Sequence, residues 1–512
     1  MSSKTAKSFS LLAALGLGAC SVGPDFVPPT PSLPVVSFLG KPKPALLPDP
    51  SILPAPPPDP RWWAKFRDPV LMRLEQQAVA ANLDLQTATI KIAESRFQRG
   101  VAASAALPTL NGNATYTREL LSQNGIVSLA KSFSSSSQPF TVPPISIYQP
   151  TFDAAWELDI WGHVRRQIEA ADAQIQLTEE QRRDVLVTLL AEVARDYIEL
   201  RGVQNQLSIA MDNLKSATEI MELTRTRTEK GLVTGLDVEN ASAEVESIKA
   251  QIPQLRTQET LQINALSLLL NEPPGALQSE LARAKPIPPA PAHVPLGIPS
   301  ELARRRPDIR QAEAQLHAAT ADIGVAVAEF YPSVKLNGSV GFNALDLKNL
   351  WKGSSLQYTF GPSISLPIFE GGRLKSTLEL REAQQQEAAI GYQKAVLQAW
   401  HDVVNALVSF HNEQERRARL KAQVDHLVQV LSLSRSRYSD GVTEFLTVLD
   451  AERNLFAAQQ QYSTSSTSIS TDLVQLYKAL GGGWETTLPD EPYPTLTSNL
   501  GLEQAPLIGS PR

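Results

Sequence analysis

Few residues in this 512-residue chain have the type and spacing to do chemistry, and the first is its single cysteine. Cys20 directly follows Leu17-Gly18-Ala19, behind Lys4, Lys7 and an apolar stretch from Phe9 to Leu17. That order reads as a secretory signal, and its end resembles the lipobox at which bacterial lipoproteins are cut and their new N-terminal cysteine is acylated. A lone cysteine excludes an internal disulfide, and six histidines with four methionines form no cluster of zinc spacing. No Ser/His/Asp constellation or phosphate loop stands out, and the glycine-containing turns lack the P-loop lysine. We therefore expect no cofactor, no metal and no enzymatic activity. With 47 basic and 53 acidic residues the net charge is −6, which advertises no nucleic-acid partner. The remaining chemistry is that of lipid attachment and of placed charge.

Positioning those groups falls to an internal repeat. The segment from Asn82, NLDLQTATIKIAESRFQRGVAASAALPTLNGNATY, parallels the segment from Arg306, RPDIRQAEAQLHAATADIGVAVAEFYPSVKLNGSVGF. Gly162 to Gly231 and Gly372 to Gly441 each span 69 residues, and GLVTGLDVENA from Gly231 parallels GVTEFLTVLDA from Gly441. Leu186, Leu190, Val193, Tyr197, Leu200, Gln204 and Leu207 fall on heptad positions, as do Val396, Trp400, Val403, Leu407 and Phe410, and Leu420, Val424, Leu427, Leu431, Ser434 and Tyr438. Helices of that length extend roughly 100 Å, so they must pack as hairpins turning at Gly231 and Gly441. Gly202 and Gly391 are the internal candidates for a break.

The chain has no run of about eighteen apolar residues, so a membrane crossing must use strands. Four segments alternate with period two. In the second, Phe152, Ala154, Trp156, Leu158 and Ile160 oppose Asp153, Ala155, Glu157 and Asp159. One face suits lipid and the other water. A half-buried soluble sheet is the alternative, disfavoured by the anchor signal and the partly acidic second face. Four strands leave two unpaired edges, so closure in lipid requires other copies of the chain, and a conduit at least three subunits in all.

The expected organisation is a signal peptide at 1–19 and an acylated, proline-rich tether at 20–60, in which fourteen of the 37 residues from Pro24 to Pro60 are proline. That density suits neither helix nor sheet and would let a lipid at Cys20 sit some distance from the fold. A first repeat covers 61–271, with strands about 107–119 and 147–161, a long helix 162–230 and a helix 232–271. A linker follows at 272–299. The second repeat covers 300–481, with strands about 331–343 and 357–369, a long helix 372–440 and a helix 442–481, and a tail closes the chain at 482–512. Arg304 to Arg306 reads as a surface at a helix start, His163 with Arg165 and Arg166 as a membrane-interface group, and Trp62 and Trp63 as packing on an outer band.

The blocks WWAKFRDPVL from Trp62, ELDIWGHVRR from Glu157, LARRRPDIRQAEAQL from Leu302, LPIFEGGR from Leu366 and RYSDGVTEFLTVLDAERNLFAAQQQY from Arg437 resemble, in order, those of the outer-membrane efflux proteins of the TolC/OprM/NodT type. The resemblance implies an α+β membrane protein. Three chains of four strands each would close a twelve-stranded outer-membrane barrel, continued by a long helical coiled-coil barrel in the periplasm. It also implies an exit duct that passively conducts what an inner-membrane pump, of RND type, delivers through a periplasmic adaptor. The destination is the outer membrane of a Gram-negative bacterium, with outer-membrane lipid as a further partner. The competing reading is a periplasmic lipoprotein adaptor or coiled-coil scaffold without a pore.

By the same resemblance Asp450 matches a gate-ring aspartate and Tyr438 an aromatic that holds the closed tip. Thr447 stands where some members carry a further aspartate, and Glu444 is close enough to add charge. Gly231, Leu232, Thr234, Gly441, Val442 and Thr443 resemble the turns to which adaptor hairpins dock. The cysteine reading is tested by labelling: cells fed radiolabelled palmitate should mark the wild-type protein, and Cys20→Ser should abolish the label.

Overall fold

The computed structural model describes residues 21–29, 52–54, 60–122, 143–291, 294–296 and 305–485. Cys20, the signal segment, most of the proposed tether and the tail beyond 485 lie outside the described residues. In chain order the elements are β1 (Ile52–Pro54), α1 (Pro69–Ala81), α2 (Leu83–Ser104), β2 (Thr109–Glu119), β3 (Ile145–Leu158), α3 (His163–Glu229), α4 (Gly235–Leu269) and α5 (Gln278–Leu281). They continue with β4 (Val294–Leu296), α6 (Pro307–Ala328), β5 (Ser333–Phe342), β6 (Leu356–Ser365), α7 (Arg373–Ser439) and α8 (Phe445–Ala479). The chain divides into two compact units, and α2, α3, α6 and α7 contribute residues to both. No described helix is long and apolar enough to cross a membrane.

The first unit holds an antiparallel four-stranded sheet of order β2-β3-β5-β6. Its register puts Gly112 opposite Phe152, Phe152 opposite Val340 and Val340 opposite Tyr358, so the even-numbered side chains share one face. Phe152, Trp156, Val340, Tyr358, Phe360 and Ile364 on that face are exposed in the single chain. The other face is polar and self-satisfied: Asn113 Nδ2 donates to Asp153 at 2.7 Å and Asn337 Nδ2 to Ser363 Oγ at 2.8 Å. The strands are shorter than expected at their helix ends for local reasons. Pro108 and Pro332 precede β2 and β5, and β6 stops before Pro367, because proline offers no N–H to the ladder. β3 stops at Leu158 because Asp159 turns its carboxylate to cap α3, accepting from Val164 N at 3.1 Å and Arg165 N at 2.9 Å.

The second unit is a helical bundle, and its core follows the heptads. Leu186, Leu190, Val193, Tyr197, Leu200 and Gln204 on α3 are buried, as are Val403, Leu407, Phe410, Leu431, Ser434 and Tyr438 on α7. Each fully buried large apolar side chain contributes roughly 1.5–3 kcal/mol. Neither internal glycine breaks a helix. A Cβ at Gly202 would sit 2.4 Å from the Thr467 hydroxyl, so that glycine permits close approach of α3 and α8. Polar pairs continue the same contact, with Asn205 Nδ2 donating to Ser463 Oγ at 2.7 Å and Asn213 Nδ2 to Gln459 at 2.9 Å.

Several expectations change here. The first repeat carries an additional helix, α1, capped by Asp68, which accepts from Val70 N at 2.8 Å. β1 pairs in parallel with β4, so the proline-rich segment and the linker do form a short ladder; its three residues include one proline per strand, leaving other N–H groups to bond. The linker also includes α5. Arg306 is no surface residue: it donates to the last carbonyl of α8, Ala479 O, at 2.9 Å and pairs with Asp308 at 2.7 Å and Asp402 at 3.0 Å. Trp62 lies in the core, stacked on Tyr477 with ring centroids 5.3 Å apart.

One group resists the core's logic. Glu75, on the α1 face that carries Leu71, Leu74 and Ala78, is 1% exposed, and neither carboxylate oxygen has a hydrogen-bond partner among the described residues. Burial pushes its pKa well above the ordinary value of 4.5. A carboxyl whose folded pKa is raised adds stability in full below its unfolded pKa and loses it as pH rises through the folded one. Glu75→Leu should therefore raise stability by about 1–3 kcal/mol at neutral pH, and by less at pH 4, in thermal unfolding of the solubilised protein.

Candidate functional site

The turns that join α3 to α4 and α7 to α8 are built by one backbone device, used twice. Gly231 (φ 69°) and Gly441 (φ 76°) take the left-handed conformation that ends a helix. Leu232 N then donates to Arg227 O at 2.9 Å and Val442 N to Arg437 O at 2.8 Å, recovering carbonyls the helix leaves open. The following helices start differently. Thr234 is tied to Asp237, whose carboxylate accepts from Thr234 N at 3.1 Å and from its hydroxyl at 3.0 Å. Glu444, at the equivalent place, makes no side-chain cap, and Thr443 instead bonds Thr447 hydroxyl to hydroxyl at 3.2 Å. These offsets explain why α4 and α8 begin at Gly235 and Phe445, three residues later than expected.

Tyr438 is buried beneath the second turn. Its ring meets Phe445 edge-on at 5.9 Å, and the Arg227 guanidinium lies 4.6 Å from its centroid while donating to the Tyr438 carbonyl. The tyrosine hydroxyl has no hydrogen-bond partner among the described residues. The ring therefore holds α3 to α7 through a cation–π contact and a helix-end carbonyl. Around it Ile220, Leu431, Val448, Leu449 and Leu455 form a separate small core.

On α8, Val448 and Leu449 turn inward, whereas Glu444, Thr447 and Asp450 are exposed. Asp450 makes no ion pair or hydrogen bond among the described residues, in contrast to the two charges that follow it. Glu452 pairs with Arg435 at 2.6 Å and accepts from Ser216 at 3.2 Å; Arg453 pairs with Glu244 at 2.6 Å. Desolvation raises the Glu452 pKa, with Arg435 opposing the shift. Sequence reasoning misses Arg227, Arg435, Glu452, Arg453 and Glu244, whose partners are mostly some two hundred residues apart. It also misses Leu236 and Leu446. These two, with Leu232 and Val442, are each more than half exposed, so both turns present an apolar pair four residues apart.

In the first unit, the expected slack after Cys20 is absent. Val22 N bonds Trp161 O at 3.0 Å, and Phe26 stacks on the His317 ring at 4.3 Å. Arg166, 4% exposed rather than at an interface, donates to Val22 O at 3.3 Å and pairs with Asp25 at 2.6 Å and Glu169 at 2.7 Å. Residues 21–28 are thus clamped, and a free tether can start only beyond them. The buried guanidinium needs those carbonyls and carboxylates as partners, which is what fixes the segment.

Among the described residues no group of acids, cysteines or histidines could hold a metal ion. The family model described as "Outer membrane efflux protein" matches residues 74–272 and 298–482. The solvent efflux pump outer membrane protein SrpC of Pseudomonas putida is 32% identical over 482 residues, 94% of this chain and 99% of that protein. Nodulation protein T of Rhizobium leguminosarum bv. trifolii is 30% identical over 94% of this chain and 97% of its own length. Among solved structures, the outer-membrane channel OprN superposes with a TM-score of 0.82 at 31% identity, covering 91% of this chain and all of that one. The open state of the Neisseria gonorrhoeae MtrE outer membrane channel gives 0.71 at 32% identity over 81% of this chain and 90% of that one. SrpC is named as an outer membrane protein of an efflux pump, and OprN and MtrE as outer-membrane channels. The chain belongs to the outer membrane efflux protein family and is an outer-membrane channel of an efflux system.

Proposed function

We propose that the protein works as a homotrimeric, passive exit duct of a Gram-negative bacterium, anchored by acyl chains on Cys20 and gated at its α7–α8 turns. The observation that carries this reading is the sheet of the first unit, apolar and exposed on one face, polar on the other, with β2 and β6 as edges unpaired among the described residues. Three copies supply twelve strands, enough for a water-filled lumen, and remove every edge. A periplasmic adaptor and an inner-membrane pump, of RND type, deliver the cargo and supply the energy.

Within each chain the ties Arg227–Tyr438, Arg435–Glu452 and Arg453–Glu244 link α3 to α7, α7 to α8 and α8 to α4. Opening then proceeds by separation of tips between subunits. Asp450, without a partner among the described residues, is available to line the constriction with its two copies. Three carboxylates around a narrow opening repel one another and attract cations. Glu444 and Thr447 lie on the same exposed stretch and add one charge and one hydroxyl per chain. The apolar pairs at Leu232 with Leu236 and Val442 with Leu446 support adaptor docking at the turns with Gly231, Thr234, Gly441 and Thr443.

Two measurements test this. In planar bilayers Asp450→Ala should raise conductance or relieve block by divalent cations; unchanged currents would remove Asp450 from the gate. Leu236→Asp with Leu446→Asp should lower adaptor co-purification about tenfold or more while leaving the assembled channel intact, since the desolvated carboxylates cost more than 1.4 kcal/mol.

A further inference from the structure

The end of the sheet away from the helices carries a feature that pore formation does not require. In the first unit α2 and α6 enter β2 and β5, and β3 and β6 lead into α3 and α7, so all helices leave from one end. At the opposite end residues 343–355 connect β5 to β6. That connection is ordered by two short 3-10 turns, Leu347–Asn349 and Gly353–Ser355, and by Asn343 N donating to Ser355 O at 2.9 Å. Ala344 and Leu350 are buried beneath it.

An aromatic row marks this end of the apolar face. Tyr116 and Tyr148 lie 4.9 Å apart, and Trp351, 71% exposed, meets Phe342 edge-on at 5.2 Å. Leu345 and Leu347 are exposed beside it. Lys348 and Lys352 flank Trp351, are exposed and form no ion pair among the described residues; Arg118 stands one step beyond Tyr116 on the same face of β2. The connection carries two lysines against the single acid Asp346, in a chain whose net charge is −6. Apolar side chains, an aromatic girdle and then cations follow the order of acyl chain, interface and anionic headgroup.

We propose that Lys348 and Lys352, with Trp351 as the interfacial platform, bind the phosphate groups of the acylated glycolipid that forms the outer leaflet of the outer membrane. The proposal rests on the reading that this sheet crosses the membrane. Continuity with the lipid-facing surface selects a lipid over a soluble anion, and the two lysines four residues apart supply the charge-assisted bonds that a phosphate accepts.

The test uses the full-length channel purified in detergent, titrated with bis-phosphorylated lipid A and with its dephosphorylated form, bound lipid being counted by native mass spectrometry. The wild type should retain the phosphorylated form about tenfold better, the size expected from loss of charge-assisted bonds. Lys348→Ala with Lys352→Ala should erase that preference, the double arginine variant should keep it, and Trp351→Ala should weaken both lipids. Equal retention by the double alanine variant and the wild type overturns the proposal. So does displacement by millimolar inorganic phosphate, or equal retention of phosphatidylglycerol. Bilayer conductance of the same samples separates the two readings: a conducting channel without the preference overturns this inference alone, and a protein that never conducts overturns the pore.

Discussion

Every part of this architecture answers to the backbone hydrogen bonds at the outer edges of β2 and β6. In water such edges are solvated; in hydrocarbon each unsatisfied N–H or C=O costs several kcal/mol. The four strands bury too little between them to form a closed structure, since their apolar faces are exposed in the single chain. A sheet of this kind becomes tolerable in lipid only when another chain takes up each edge.

The bundle achieves its own order by different means. The heptads fill its interior, and a second layer of polar contacts fixes which helix meets which. Gly202 against Thr467, and Asn205 with Ser463, let α3 and α8 approach more closely than leucine seams allow. Arg306 reaches from the start of α6 to the end of α8 and neutralises two aspartates on the way. Such contacts favour one alignment of the helices over its neighbours one heptad away, a choice that apolar periodicity leaves open.

How far the sequence could be read depends on the range of the interaction. Period-two alternation located all four strands to within a few residues, and the errors fell where a proline or the Asp159 cap overrides the pattern. Leu186, Leu190, Val193 and Tyr197 were placed in the core by spacing alone, because burial on a helix repeats locally. Arg435 with Glu452 and Arg453 with Glu244 left no such trace: each joins separate helices, and their charges read like any solvated pair. The clamp of Arg166 on residues 22–25 was hidden for the same reason, and the dense prolines nearby pointed towards slack. The exposure of Leu236 and Leu446 left no trace either, since a lone leucine in a helix defaults to the core.

The likeness of the two turns has a consequence for symmetry. Gly231 and Gly441 shape the same backbone, and both turns show the same apolar pair, so a trimer would offer six nearly equivalent knobs to whatever approaches from below. The charges do not follow that pattern. Asn240 occupies in the first repeat the place that Asp450 occupies in the second, and Thr234 the place of Glu444. Shape in such an assembly would be approximately sixfold while electrostatic potential is strictly threefold. A partner reading shape alone could settle in two registers, and only the placement of the acids, Asp237 and Glu239 at one turn and Glu444 and Asp450 at the other, would tell them apart.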